Sequence, residues 1–182
     1  GSVSGMKGRF IMKLRTLCEN DASGMLEWMH DSAVNQYFRA PFAQMTIENA
    51  LSFIQGGQDA SARHYAICDD KDVYQGTISL KAVDMENGTA EYAIVLRRQA
   101  QGKGYASFAT REILRIAFEE LGLHKVYLNV WKENAHAVGF YEHMGFRREG
   151  DAREQIVLHK RRCDLLWYGM LRREYRSLYG NV

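Results

Sequence analysis

At 182 residues and a formal net charge of +2, the chain can bury one sizeable core and is too near neutral to call for a nucleic-acid partner. Its single proline, Pro41, and its many aromatic residues exclude a disordered or linker-rich protein. Three widely spaced cysteines, Cys18, Cys68 and Cys163, exclude a disulfide framework and a zinc pattern and read as buried free thiols in a reducing cytoplasm; no run of about 18 apolar residues marks a membrane span, and no signal peptide is evident.

Gly1–Gly5 (GSVSG) reads as a cloning scar, and a single domain is expected over residues 10–175. Phe10–Leu17 reads as a first strand with Ile11 and Leu14 on its apolar side. Asn20, Asp21 and Ser23 offer caps to a helix carrying Met25, Leu26, Trp28 and Met29, ending near Asp31. Asn35–Met45 reads as a loop, because Pro41 biases its neighbourhood away from helix. Thr46 caps a second helix to Gln55, with Ile47, Leu51 and Phe53 or Ile54 inward and Gly56-Gly57 ending it. Arg63–Cys68 and Val73–Val83 read as antiparallel strands around the turn Asp69–Asp72, with Gly76 marking a bulge. Asn87-Gly88 signals a further hairpin turn.

The next stretch organises the chain. Thr89–Leu96 alternates as a strand, with Glu91, Ala93 and Val95 on one face and Tyr92, Ile94 and Leu96 on the other. Arg97–Lys103 is a turn. From Gly104 the period becomes helical, with Ala106, Ala109, Ile113, Ile116, Ala117 and Leu121 in one stripe and Gly122 as the stop. A glycine turn opening a helix is an anion site by construction, because the first helical N–H groups lack partners and the dipole there is positive. Neither common phosphate motif fits. The first glycine position of a P-loop holds Arg97, and the third of a dinucleotide fingerprint holds Ser107.

Downstream, Lys125–Val130 reads as a strand and Asn134–Met144 as a short helix with Ala137, Phe140, Tyr141 and Met144 on one face, closed by Gly145. Arg147–Val157 and Cys163–Leu171 read as a last pair of strands around His159–Arg162, a basic turn that reads as a solvated hairpin tip; the tail from Arg172 receives no element. This order makes an α/β or α+β sheet with helices on both faces. His64, His124, His136 and His143 share no ligand spacing with acids, so no metal is expected.

Gln101-Gly102-Lys103-Gly104-Tyr105-Ala106 resembles the Gln/Arg-x-x-Gly-x-Gly/Ala signature of the GNAT N-acetyltransferases. Asn134, Ala137, Tyr141, Gly145 and Phe146 resemble that family's second signature, and Leu14-Arg15 and Ala90-Glu91 resemble its RimJ/RimL-like branch, so the likeness covers residues 12–175. The resemblance implies a mixed, mostly antiparallel seven-stranded sheet flanked by about four helices and splayed after the central strand. It implies acetyl-CoA as cosubstrate, with the pyrophosphate on Gln101, Gly102, Lys103, Gly104, Tyr105 and Ala106. The pantetheine arm would lie on the strand edge of Ile94, Val95 and Leu96, with Asn134, Ala137 and Phe140 also at the cofactor. Tyr141 would be the general acid and Glu91 the base; the plainer readings are a core tyrosine and a salt-bridged glutamate. Tyr37, Phe38, Arg39 and Phe42 would touch the acceptor, or simply pack on the core.

The implied activity is direct acetyl transfer, in a ternary complex, to a small primary amine such as a polyamine or an amino sugar nucleotide. The alternatives are a protein N-terminal acetyltransferase of the ribosomal-protein kind and a non-catalytic acetyl-CoA-binding module. The expected partners are acetyl-CoA and the amine, without nucleic acid or membrane, and a homodimer is allowed for.

Overall fold

The computed structural model describes residues 11–56 and 60–180; Phe10, Gly57 and the Gly1–Gly5 segment lie outside them. Strands β1 (Lys13–Thr16), β2 (Arg63–Cys68), β3 (Tyr74–Asp84), β4 (Thr89–Leu96), β5 (Lys125–Trp131), β6 (Arg147–Leu158) and β7 (Arg161–Leu171) form one sheet in the order β1-β2-β3-β4-β5-β7-β6. Every neighbouring pair is antiparallel except β4 and β5. A parallel pair needs a long crossover, and the helix that leaves β4 supplies it.

Among the described residues six α-helices flank the sheet, where about four were expected: α1 (Ala22–Met29), α2 (Ser32–Asn35), α3 (Ile47–Gly56), α4 (Tyr105–Arg115), α5 (Ala135–His143) and α6 (Arg172–Tyr179). α2 takes Asn35 out of the expected loop, because Asp31 caps it through the Ala33 N–H at 3.0 Å. α6 forms from the unassigned tail. The Leu171 N–H donates to Glu174 at its start, and Tyr175 stacks on Phe118 with ring centres 5.0 Å apart.

The alternation of β2 divides the core. Ile67 joins Ile78, Leu80, Tyr92, Ile113, Leu114 and Leu128 on the α4 side of the sheet, while Ala66 and Cys68 join Met25, Trp28, Ala50 and Ile54 under α1 and α3. Fully burying a side chain such as Ile113 or Leu128 stabilises the fold by about 1.5–3 kcal/mol. On α4 the buried face is wider than the predicted stripe. It also takes Tyr105, Thr110 and Leu114, and a wide π-type turn at Ile116–Glu120 brings Phe118 inward. Gly122, at φ +67°, ends it as expected.

Other boundaries differ for local reasons. Ile11 is exposed ahead of β1, and Phe53 points outward on α3, where Ala50 and Ile54 are the buried positions. Phe42–Gln44 makes a 3-10 turn within the predicted loop. β7 begins at Arg161 because His159 and Lys160, both at positive φ, make the whole turn. The expected bulge lies beside Gly76, where the β2–β3 register shifts between Ile67 and Cys68. A side chain at Gly76 would run into the Val95 carbonyl and Leu96, so glycine lets β3 press against the end of β4.

Candidate active site

β4 and β5 pair over three rows only, Thr89 with Lys125, Ala90 with Val126 and Glu91 with Tyr127. Beyond Glu91 the strands part, and Tyr92–Leu96 keeps its β3 neighbour on one side with no strand on the other. The Arg97 N–H donates to the Gln75 carbonyl at 3.0 Å, which makes Arg97 and Gln75 a hydrogen-bonded pair. Antiparallel pairs alternate. Val95 and Ala93 therefore spend their backbone groups on β3, and those of Ile94 and Leu96 face the open seam.

The strand runs into a 3-10 turn, Arg98–Ala100, and then into the glycine turn. Gly102 and Gly104 stand at φ +75° and +90°, conformations that glycine adopts at no steric cost. A Cβ at Gly102 would meet nothing within 4 Å, and one at Gly104 only Met12 Cε at 3.8 Å, so the space above the turn is open. The Phe108 N–H donates to the Gly104 carbonyl and starts the ladder of α4. The N–H groups from Gly102 to Ala106 make no turn or loop backbone bond among the described residues. Gln101 and Lys103 are exposed, while the Tyr105 side chain is buried, leaving its backbone alone for a ligand.

Across the seam, Asn134 caps α5 by accepting the Ala137 N–H at 3.3 Å, which leaves its amide N–H₂ to donate elsewhere. Ala137, Phe140 and Tyr141 are half-buried against the α4-side core. Tyr141 meets Tyr92, Phe140 and Phe146 at ring-centre distances of 5.7, 5.6 and 6.1 Å. Burial lifts its pKa well above the usual tyrosine value, and its hydroxyl makes no hydrogen bond among the described residues. The neighbouring Tyr92 hydroxyl is spent on Thr110 at 2.7 Å.

Glu91 sits where the seam begins. Its Oε2 meets Lys81 Nζ at 3.0 Å and its Oε1 accepts from Asn129 Nδ2 at 3.2 Å, so both oxygens are engaged. Asn129 lies on the same β5 face as Tyr127 and Trp131, opposite buried Val126, Leu128 and Val130. Tyr37 leans on Trp131 at 6.1 Å, and His159 also lies near Trp131, at 6.2 Å, while bonding the Gln36 carbonyl. Phe38 and Phe42 instead cluster with Trp28, Phe42 meeting it edge-on at 4.9 Å, so core packing accounts for both. Arg39 is exposed.

Two other concavities lie off the seam. One, about 610 Å³, is lined by Gly145, Arg147, Arg173 and Leu178, and one, about 450 Å³, by Arg15, Asp21, Asp72 and Arg97. The seam is an open cleft, and its backbone groups mark it better than enclosed volume does.

The acetyltransferase (GNAT) domain model matches residues 12–147. The chain belongs to the GNAT acetyltransferase family. It is 29% identical over 170 residues to the uncharacterized N-acetyltransferase p20 of Bacillus licheniformis, covering 90% of this chain and 94% of that one. It is 32% identical over 117 residues to the spermidine N(1)-acetyltransferase of Vibrio cholerae, covering 64% and 68%. The crystal structure of spermidine N-acetyltransferase from Vibrio cholerae in complex with CoA and spermine superposes with a TM-score of 0.83 at 26% identity, covering 90% of this chain and 97% of that one.

This GNAT chain is an acetyl-CoA-dependent N-acetyltransferase. Its fold brings Glu91, the Ile94–Leu96 edge, the 101–106 turn, Asn134 and Tyr141 to the seam or its two flanks. Lys81, Asn129 and Trp131 were not among the sequence candidates. The alternation of Tyr127, Asn129 and Trp131 with Val126, Leu128 and Val130 carried a signal for the last two; nothing local paired Lys81 with Glu91.

Proposed function

We propose that the chain acetylates a small primary amine by direct transfer at the β4–β5 seam. The observation that carries this reading is the open Ile94–Leu96 edge leading, through the Arg98–Ala100 turn, into a glycine turn whose N–H groups make no turn or loop backbone bond among the described residues. These groups fit acetyl-CoA: the turn offers positive dipole and donors to a pyrophosphate, and the strand edge offers strand-like pairing to amides. When bound, acetyl-CoA supplies an activated acetyl group as its thioester. A seam N–H of Ile94 or Leu96 would polarise the acetyl carbonyl. Asn134 would donate to the cofactor arm through its free amide N–H₂.

Tyr141 would hold a proton at its hydroxyl for the leaving sulfur. Since burial keeps it protonated far into alkaline solution, it would be a weak acid that serves by donating a hydrogen bond to the charge developing on the sulfur. Glu91 would draw in the ammonium and take up its proton, in competition with Lys81. Direct transfer agrees with the cysteines. Burial pushes the Cys68 thiol up to about 11, and Cys163 is buried within the β6–β7 hairpin, so neither suits an acetyl-enzyme; Cys18, expected to be buried, is exposed, but it sits beside Arg15 and Asp21, off the seam.

The Vibrio cholerae relative is named for spermidine, which supports a polyamine as the acceptor class. A homodimer in the cytoplasm stays part of this reading, the first testable by sedimentation; among the described residues no helix is long and apolar enough to cross a membrane. The test is a thiol-release screen with acetyl-CoA against polyamines, amino sugars and peptides with free N-termini. A polyamine should give the highest kcat/KM. A peptide in first place would move the acceptor to protein N-termini, and no release with any amine would leave a binding module.

A further inference from the structure

Two arginines lead from β4 into the cofactor turn, and both dock on acids of the opposite wall. Arg97 donates through Nε and Nη2 to Glu27 Oε1 at 3.2 and 3.1 Å, and through Nη1 to Gln75 Oε1 at 3.3 Å. Arg98 forks onto Asp31, Nε to Oδ2 at 2.8 Å and Nη2 to Oδ1 at 2.7 Å. Glu27 and Asp31 are four residues apart, one within α1 and one just past its end.

Asp31 does more than pair. Its Oδ1 also accepts the Ala33 N–H at 3.0 Å, and its carbonyl accepts those of Val34 and Asn35 at 2.9 and 2.8 Å. It is thus the cap of α2, the helix that delivers the Gln36–Phe42 loop with Tyr37 at its turn. On the other side, the Arg98 carbonyl accepts the Gln101 N–H at 3.2 Å, and Gln101 opens the glycine turn. One carboxylate therefore holds both the first turn of the helix that leads into the aromatic loop and the side chain of the residue whose carbonyl carries Gln101. The Asp31 side chain is 12% exposed and the pairing is bidentate, a geometry that fixes direction as well as distance.

We propose that Asp31 is a positioning residue that couples the cofactor turn to the acceptor loop, so that filling the 101–106 turn orders residues 36–45 for the amine. This rests on the reading of that turn as the acetyl-CoA cradle and of that loop as part of the acceptor wall. A ligand couples two sites by biasing an equilibrium that both sites share, and the Asp31–Arg98 fork ties the segment that leads into the turn to the helix that leads into the loop.

Hydrogen–deuterium exchange with saturating CoA as the probe tests it without knowing the acceptor. In the parent chain, CoA slows exchange in residues 101–108 and also in residues 36–45. Asp31→Asn retains a good helix cap but loses the charged fork, and Arg98→Gln cuts the fork from the other side. Either change should abolish the CoA-dependent slowing at 36–45, expected to be about fivefold, the low end of allosteric coupling, while the slowing at 101–108 stays. The double variant should match either single one. Slowing at 36–45 that persists in both variants, or that is missing from the parent while 101–108 responds, overturns the coupling. No response at 101–108 in the parent would fail the cradle assignment itself.

Discussion

Glu91 and Tyr127 form the last row that β4 and β5 share before the strands part. The Tyr127 hydroxyl is pushed above its ordinary pKa by burial first and then by the charge of Glu91 and Asp84. A carboxylate thus stands at the closed end of the cleft, held by Lys81 and Asn129.

Glu91→Gln keeps the size of the side chain and removes its basicity. Because the Lys81–Glu91 pair is partly solvated, stability should change by less than about 1 kcal/mol. The expected loss in kcat/KM is about 10²-fold, with the acidic limb of the pH–rate profile shifted or gone. A parent-like rate and profile would return Glu91 to its ion pair with Lys81.

Gly104→Ala tests the cradle. A Cβ has room beside Met12, so the penalty comes from φ +90° alone, about 1–2 kcal/mol if the turn holds its shape. If the turn relaxes instead, its N–H groups turn off the pyrophosphate. Calorimetry should show CoA affinity reduced by about tenfold with the fold retained; each 1.4 kcal/mol of lost binding is tenfold. An unchanged Kd would put the anion site elsewhere.

Tyr141→Phe leaves the ring contacts with Tyr92 and Phe146 in place and deletes a hydroxyl that bonds nothing among the described residues. Stability should hardly move. The loss should fall on kcat, by about 10²-fold, with acetyl-CoA affinity nearly intact. Since burial raises the Tyr141 pKa, any alkaline limb below pH 10 belongs to another group and should survive the substitution. A variant that turns over at the parent rate, with chemistry rate-limiting, would reduce Tyr141 to packing.

Arg15→Met bears on the fold. Arg15 forks onto Asp21 at 2.8 and 2.9 Å, and Asp21 is only 2% exposed. Burial alone would raise the Asp21 carboxyl, but Arg15 and the Cys18 N–H outweigh it and hold it below its ordinary value. The parent therefore gains from this carboxylate above the unfolded value of about 3.9, and loses that gain as pH falls. Without Arg15 a buried, under-compensated charge remains, costing about 3 kcal/mol at neutral pH. The sign then reverses: the lifted carboxyl favours its neutral form, so the variant's deficit shrinks toward acid pH. Urea unfolding at pH 4 and pH 7 checks this; a deficit that is constant or grows toward acid pH contradicts it.

Local pattern made much of this legible. β2 and β4 run over the predicted residues, and the glycines at 102, 104 and 122 all stand at positive φ. What stayed hidden depended on distant partners. Leu14-Arg15 was visible as a family-like pair, but Arg15's bond to Asp72 appears only when the β2–β3 turn folds back beside β1, and its fork onto Asp21 only when the chain turns after β1. α6 was missed because its apolar residues are few, and they become a packing face only against the π-type turn that carries Phe118. The Asn35–Met45 stretch left two readings open, acceptor contact or core packing, and neighbours distant in sequence decide the packing: Phe38 and Phe42 lie on Trp28, while Tyr37 lies against Trp131.

The three-row junction between β4 and β5 also sets an order of assembly. β1 to β4 come from one contiguous stretch, residues 13–96, and β5 to β7 from another, residues 125–171. The β2–β3, β3–β4 and β6–β7 pairings are local hairpins, the kind that closes early, whereas the parallel rows between β4 and β5 must wait for the α4 crossover. Refolding should therefore form these hairpins first and the parallel junction later. In pulse-labelled exchange the amides across Thr89–Glu91 and Lys125–Tyr127 should gain protection after those of the β2–β3 and β6–β7 hairpins, and simultaneous protection would count against the scheme. Catalytic competence would then appear only when β4 and β5 meet, since the groove proposed for the acetyl donor does not exist until that short weld forms.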